Sequence, residues 1–179
     1  MENLLNPIFK TTLFPQNLVV FKYPNNLNLL INNLLQIKNT IPNSIKGYPP
    51  ELIYQTTNHL FKEYSVYNDL EKFIFSLTQS YFKTSFKMIN SWGNIYSKYS
   101  KSNPHTHPDS NLVGIFYLKV PDKCGDLLLH NKFKTEETYR IKPQEGLIFI
   151  IDKDQLHSTD LNLNDSPKIS IAFNLGIIK

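Results

Sequence analysis

The chain has 179 residues and a formal net charge of +4, and 41% of its residues are hydrophobic. This length and apolar content predict one folded domain spanning residues 1–179, and they exclude a disordered polymer. The mild positive charge gives no specific signal for nucleic-acid binding, because the lysines are scattered along the chain and form no stripe.

The sequence carries few signs of export or membrane insertion. Cys124 is the only cysteine, so neither a disulfide framework nor a cysteine-built zinc site is expected. The segment MENLLNPIFKTTLF has no basic region followed by a long apolar stretch, so we expect no secretory signal. No apolar run approaches the ~20 residues needed to cross a bilayer. We therefore expect a soluble, cytoplasmic protein with no membrane partner.

Residues 1–86 predict helices with supporting strands. A strand is predicted at Leu18–Lys22 (LVVFK). The apolar spacing of NLNLLINNLLQIK predicts a helix with Asn26 as a possible cap. A second helix is predicted over 69–82, where one face is apolar. The segment SIKGYPPELIYQ is rich in Gly and Pro and predicts a turn-rich connection.

Residues 87–179 predict a series of short strands. The candidates are KMINSWGNIYSKYS, LVGIFYLKV, GDLLLH, TYRIK, GLIFIID and KISIAFNLGII. Short strands separated by Gly, Pro and Asn turns are typical of an antiparallel barrel or double-sheet sandwich. The helices of the first half would pack against one face of it, which predicts an α+β fold.

The stretch NPHTHPDS suggests a metal site. His105, His107 and Asp109 occupy alternate positions, and alternate side chains of an extended segment share a face. Fifty residues after His107, a third histidine, His157, follows a strand-like run and a polar turn. Two ligands from one segment and one distant histidine are the layout of a facial triad, which suits Fe(II). The pattern leaves the ligand set open, since Asp109 is also a plausible turn residue and His157 a plausible surface histidine.

Two residues of the last predicted strand suggest an anion site. Lys168 and Ser170 lie on the same face of KISIAFN, and a cation beside a hydroxyl can clamp a carboxylate. The ordinary alternative is a solvated lysine next to a small strand residue. His59 and His130 have no partner pattern, and we expect both to be surface or packing residues.

Six motifs then follow one another between Asn90 and Asn174: SWGNIY, HTHPDSNLVGIFYL, CGDLLLH, KPQEGLIFI, LHS and KISIAFN. This series resembles the 2-oxoglutarate- and Fe(II)-dependent oxygenases, in particular a branch with a His-x-His-Pro motif found in phages and bacteria. The resemblance covers nearly half of the chain. It implies a double-stranded β-helix (jelly-roll) core in residues 87–179, supported by residues 1–86. We expect the first half, including SIKGYPPELIYQ, to supply part of the substrate wall. The resemblance also implies location in the host cytoplasm if the protein is phage-encoded.

The resemblance implies Fe(II) and 2-oxoglutarate as cofactors, O₂ as a reactant, and hydroxylation of an unknown substrate. The implied metal ligands are His105, His107 and His157, with Asp109 as the alternate, because the wider family has His-x-Asp/Glu where this chain has His-x-His. The implied cosubstrate residues are Lys168, Ser170, Asn94, Tyr96 and Tyr117.

Two departures from the family pattern affect the site. Three neutral imidazoles leave the iron complex less negative than a set with one carboxylate would, which alters its redox tuning. Lys168 stands where the family usually has arginine, and lysine lacks the bidentate fork. The alternative function is a cupin-like protein that binds a metal or small ligand without 2-oxoglutarate chemistry. A third is a non-enzymatic interaction module that uses the fold as a scaffold.

Overall fold

The computed structural model describes residues 6–13, 16–46, 49, 51–134 and 137–178. In these ranges the strands are β1 (Phe9–Leu13), β2 (Gln16–Lys22), β3 (Ile53–Gln55), β4 (Phe86–Tyr96), β5 (Leu112–Lys119), β6 (Leu127–His130), β7 (Thr138–Ile141), β8 (Leu147–Asp152), β9 (His157–Thr159) and β10 (Lys168–Ile177). The helices are α1 (Asn28–Thr40), α2 (Leu60–Glu63) and α3 (Asn68–Phe82), with a short 3-10 turn at Ser65–Tyr67. None of the described helices is long and apolar enough to span a bilayer.

The strands form two antiparallel sheets. The major sheet has the order β1-β2-β8-β5-β10-β4-β3, and the minor sheet has the order β7-β6-β9. This arrangement confirms the predicted double-stranded β-helix. The major sheet is not built from residues 87–179 alone, because β1 and β2 extend it beyond β8 and β3 forms its other edge.

Strand alternation gives the major sheet two apolar faces with different partners. One face packs against the helices, as predicted, in a core that includes Leu34, Leu70, Ile74, Leu77, Ile95, Phe116, Ile171 and Phe173. The opposite face meets the minor sheet through Val113, Ile115, Phe149, Leu127 and Leu129. Neighbouring residues of one strand therefore serve different layers, and the functional side chains share the second face.

The predicted helices and strands match the structure closely, with differences at their ends. At the start of α1, the side chain of Asn26 accepts a hydrogen bond from the backbone N–H of Asn28 at 2.8 Å. The strand predicted over KMINSWGNIYSKYS ends at Tyr96. Four short elements, β1, β3, α2 and β9, were not predicted, because segments of three to five residues are too short to show a period. Gly47 and Pro50 of the predicted connection lie outside the described residues.

Gly114 lets β5 and β10 pair closely beneath the helices. A Cβ atom at this position would overlap the ring of Phe173, which is fully buried. We therefore expect Gly114→Ala to lower the free energy of unfolding by about 1–3 kcal/mol, because a packed core cannot move the ring without strain.

Chemical denaturation monitored by circular dichroism measures this change, with Gly176→Ala as the matched control. At Gly176 the added Cβ would first meet the end of the Ile89 side chain, at 3.0 Å, and this side chain is partly exposed and can move. Equal destabilisation by the two substitutions would contradict the packing argument.

Candidate metal and cosubstrate site

A cavity of about 340 Å³ lies on the face of the major sheet that looks toward the minor sheet. Strands β4, β5 and β10 form its floor, and β9 and the loop before β5 supply its rim. The register explains the floor, since Ser170 is paired with Asn94 on one side and with Tyr117 on the other. Lys168 is paired with Tyr96. The five residues predicted for the cosubstrate therefore line one cavity.

Backbone hydrogen bonds tie the histidine segments together. His105 and His157 exchange two backbone N–H···O bonds of 3.0 Å each, which form an isolated antiparallel bridge. The backbone N–H of His107 donates to the carbonyl of Lys153 at 3.0 Å. The stretch after Pro104 is thus fixed to the turn and strand that carry His157, and residues fifty positions apart become neighbours.

The three histidines form one cluster. One ring nitrogen from each of His105, His107 and His157 lies within 4.8 Å of those of the other two. The ring centroids are 4.4–5.2 Å apart. Asp109 is not in this cluster; it is exposed in the turn after His107. The fold therefore brings together the three histidines and does not bring the alternate ligand to them.

The electrostatics of the cluster favour neutral, metal-binding imidazoles. Burial, and then the neighbouring His105, lower the pKa of His107 to about 4. The same two causes, in the same order, lower the pKa of His157 to about 3. At neutral pH both rings are uncharged and keep a lone pair, which is the form that binds metal.

The orientation of two rings is fixed by short backbone contacts. Nδ1 of His105 lies 2.7 Å from the carbonyl oxygen of Asn103, and Nδ1 of His157 lies 2.9 Å from that of Gln155. A carbonyl can only accept, so Nδ1 carries the hydrogen in each ring and Nε2 keeps the lone pair. These donors fit Fe(II), for which imidazole is a suitable ligand.

Lys168 is a buried cation at the other end of the cavity. Its side chain is 1% exposed, and its Nζ donates to the carbonyl oxygen of Gly125 at 3.3 Å and lies 5.0 Å from the centre of the Tyr96 ring. Among the described residues it makes no salt bridge. Burial lowers the pKa of Lys168 to about 8. A buried ammonium with unused donors is a site for an anion.

Further polar groups lie near this lysine. The hydroxyl of Tyr117 is buried and has no hydrogen-bond partner among the described residues. Asn94 and Ser170, which are 5% and 4% exposed, line the same cavity. A carboxylate placed here would meet one ammonium group and up to three neutral donors.

The sequence predicted that the first half supplies part of the substrate wall, but it did not name the residues of the polar wall at the other side of the cavity. Its members are Gln55, Asn58 and Asn90, with the indole of Trp92 stacked on His107 at a centroid distance of 5.9 Å. Alternation with Asn94 would have placed Trp92 and Asn90 on this face. Nothing in the sequence indicated that β3 and the residues after it would lie beside β4. These carboxamides can both donate to and accept from an uncharged polar group.

The remaining histidines behave as expected. His130 is half-buried and contacts the hydroxyl groups of Ser158 and Thr138 at 2.8 and 3.1 Å, which makes it a packing residue of the minor sheet. His59 is exposed next to α2.

Comparison with known proteins finds a family model that matches nearly half of the chain. Residues 90–174 match the family model described as "Putative 2OG-Fe(II) oxygenase". The chain is similar to the 2OG-Fe(II) oxygenases over this segment, which holds 85 of its 179 residues. It is therefore an oxygenase that depends on Fe(II) and 2-oxoglutarate, and the histidine cluster fits the metal. No curated protein sequence matches the chain.

Solved structures share the fold at low sequence identity. A 2OG-Fe(II) oxygenase family oxidoreductase from Burkholderia pseudomallei is 13% identical, with a TM-score of 0.67 over 89% of this chain and 84% of that one. HygX from Streptomyces hygroscopicus, solved with nickel and 2-oxoglutarate bound, is 9% identical, with a TM-score of 0.69 over 89% and 82%. The viral collagen prolyl hydroxylase vCPH from Paramecium Bursaria Chlorella virus-1, in its 2OG complex, is 15% identical, with a TM-score of 0.65 over 90% and 96%.

Removing one clustered histidine should abolish tight metal binding by the oxygenase. We expect His157→Ala to weaken Fe(II) binding by at least about 100-fold, because one of the three clustered imidazoles is lost. Asp109→Ala is the matched control and should bind as the wild type does, since Asp109 lies outside the cluster. Anaerobic isothermal titration calorimetry measures both. A large loss with Asp109→Ala would instead make the carboxylate a ligand.

Proposed function

We propose that this oxygenase is a hydroxylase in which His105, His107 and His157 hold the iron, and Lys168 and Ser170 hold the far carboxylate of 2-oxoglutarate. The observation that carries the proposal is the shared cavity, which has three clustered imidazoles toward one end and a buried, unpaired ammonium at the other. The substrate C–H group would become C–OH as O₂ and 2-oxoglutarate are converted to succinate and carbon dioxide.

At the metal end, the chain holds the imidazole rings in fixed positions and orientations. The bridge between His105 and His157 holds two ligands at a fixed separation, and the carbonyl contacts to their Nδ1 atoms fix their ring planes. Trp92 covers one face of His107 and limits its rotation. The bound iron with its cosubstrate supplies the oxidising power.

At the cosubstrate end, the chain supplies charge and hydrogen bonds. The ammonium of Lys168 would pair with the carboxylate, and the hydroxyls of Ser170 and Tyr117 would donate to it. Asn94 would contribute a further donor, and the Tyr96 ring supports the ammonium from below. The proposal is supported because the carboxylate would neutralise a buried cation and give the Tyr117 hydroxyl an acceptor.

The direct test is anaerobic addition of Fe(II) and then 2-oxoglutarate, followed by visible absorption. A weak charge-transfer band that requires both additions is expected. Lys168→Met, which keeps length but removes charge, should weaken 2-oxoglutarate binding by about 10–100-fold, because a charge-assisted hydrogen bond contributes about 1.5–3 kcal/mol. Fe(II) affinity should be unchanged in this variant.

Lys98→Met is the matched control, since Lys98 is a surface residue paired with Asp165 at 2.8 Å. Iron binding with no band, together with no effect of Lys168→Met on ligand binding, would favour the cupin-like alternative. Failure to bind iron would favour the scaffold alternative.

Cosubstrate binding should depend on pH through Lys168. Its pKa of about 8 means that the ammonium form, which pairs with a carboxylate, is lost as the pH rises through this value. The surrounding titratable groups are Cys124, Asp126 and Asp160, which partly counteract burial, and the phenols of Tyr96 and Tyr117. We expect 2-oxoglutarate affinity to fall about tenfold between pH 7 and pH 9, with proton uptake on binding near pH 8.

Calorimetric titration of the Fe(II)-loaded protein in buffers of different ionisation enthalpy measures both quantities. Lys168→Arg is the control, because a guanidinium stays protonated over this range and effects of pH on the iron are common to both proteins. The same pH dependence in Lys168→Arg would assign the effect to another group.

A further inference from the structure

His107 differs from the other two clustered histidines in which of its ring nitrogens is enclosed. In His105 and His157, Nδ1 contacts a backbone carbonyl and Nε2 is left for a metal. In His107, Nε2 is buried and has no hydrogen-bond partner among the described residues. An enclosed Nε2 is a poor candidate for the atom that faces the open cavity.

Asn174 lies next to the His107 ring, and it too has a buried polar atom that lacks a hydrogen-bond partner in the described part of the chain. Its Oδ1 atom is also buried without a hydrogen-bond partner among the described residues. Its side chain interacts with the His107 ring. Asn174 follows Lys168 and Ser170 at even spacing on β10, so it points to the same face of the sheet. An amide oxygen only accepts, so it requires the ring nitrogen that it meets to carry hydrogen.

We propose that His107 binds the metal through Nδ1 and that its Nε2–H group donates to Oδ1 of Asn174. This inference rests on the proposed three-histidine ligand set and specifies it. Nδ1 is bonded to Cγ, so its reach from the backbone equals that of an aspartate or asparagine side-chain oxygen. The ligand atom of His107 thereby lies closer to its backbone than the Nε2 atoms of His105 and His157 lie to theirs. Asn174 is a positioning residue that sets the tautomer of His107.

Trp92 supports the same assignment. Its indole lies nearly parallel to the His107 ring, with an angle of 11° between the planes, so the ring is held flat against β4. A ring held in this plane has two orientations, which differ by a half-turn about the Cβ–Cγ bond. The half-turn would put the Cε1–H group against Oδ1 of Asn174 in place of Nε2–H, so the hydrogen bond to Asn174 would oppose it.

The test is long-range ¹H–¹⁵N correlation NMR of the oxygenase labelled at histidine and loaded with Zn(II), which is diamagnetic. The chain has five histidines, so the rings can be resolved. For each ring, the ¹⁵N chemical shifts and correlation pattern show which nitrogen bears hydrogen and which binds zinc. We expect zinc on Nε2 of His105 and His157, and on Nδ1 of His107. Zinc on Nε2 of all three rings would overturn the inference while leaving the ligand set intact. Zinc on none of them would overturn the ligand set as well.

Substitutions at Asn174 give a second readout. Asn174→Asp keeps an acceptor and should keep the Nδ1 pattern, whereas Asn174→Leu removes it and should weaken Zn(II) binding by about 10–100-fold. The stability of the metal-free protein separates positioning from folding. Asn174→Leu removes the acceptor of the proposed hydrogen bond but adds a buried apolar side chain, so the stability of the metal-free protein should change little. Unchanged zinc affinity and an unchanged ring pattern in Asn174→Leu would overturn the role of Asn174.

Two substitutions of His107 test how far from the backbone its ligand atom lies. His107→Asn places an oxygen near the position of Nδ1, and His107→Gln places one near the position of Nε2. Zinc affinity should be at least about tenfold higher for His107→Asn than for His107→Gln. The opposite order would indicate ligation through Nε2.

Discussion

The antiparallel pairing of β10 with β4 and β5 is the constraint on which the site depends. β10 lies between two long strands, and its register places Ser170 beside both Asn94 and Tyr117. Because alternate residues point to opposite faces, Ile169, Ile171 and Phe173 enter the helix-side core while the residues between them face the cavity. A shift by one residue would exchange the two sets. The apolar core therefore fixes the position of the polar site.

The second constraint is the bridge between the loop after β4 and the start of β9. It places His105 opposite His157 by backbone hydrogen bonds, which do not depend on the identity of the side chains. The site thus combines a floor set by the major sheet with a rim set by the minor sheet. A cluster made by two separate layers needs both to be folded, so metal binding and sheet packing should support each other.

The sequence predicted the parts of the site that alternation and motif order reveal. His105, His107, Lys168 and Ser170 could be assigned to shared faces because a strand has a period of two. The first half was expected to supply part of the substrate wall, but Gln55 and Asn58 could not be assigned to it individually, since their positions depend on a three-residue strand at the sheet edge. Which of His105 and Asp109 lies in the histidine cluster also needed the structure. Both lie two positions from His107 in the sequence, and only the bridge to His157 brings one of them into the cluster.

The unpaired polar atoms of the protein show why this cavity is a place for ligands. Among the described residues, the buried side-chain atoms without partners are on Asn33, Asn90, His107, Tyr117 and Asn174. All but Asn33 belong to residues that line the cavity or contact a residue that does. Each such group costs free energy in the empty protein, as does the unpaired ammonium of Lys168. Such costs scattered over a fold would only weaken it, whereas the costs at Lys168 and Tyr117 are offset when an anion binds in the cavity. The unpaired groups at this cavity lower the stability of the empty protein, and satisfying them contributes to the free energy of ligand binding.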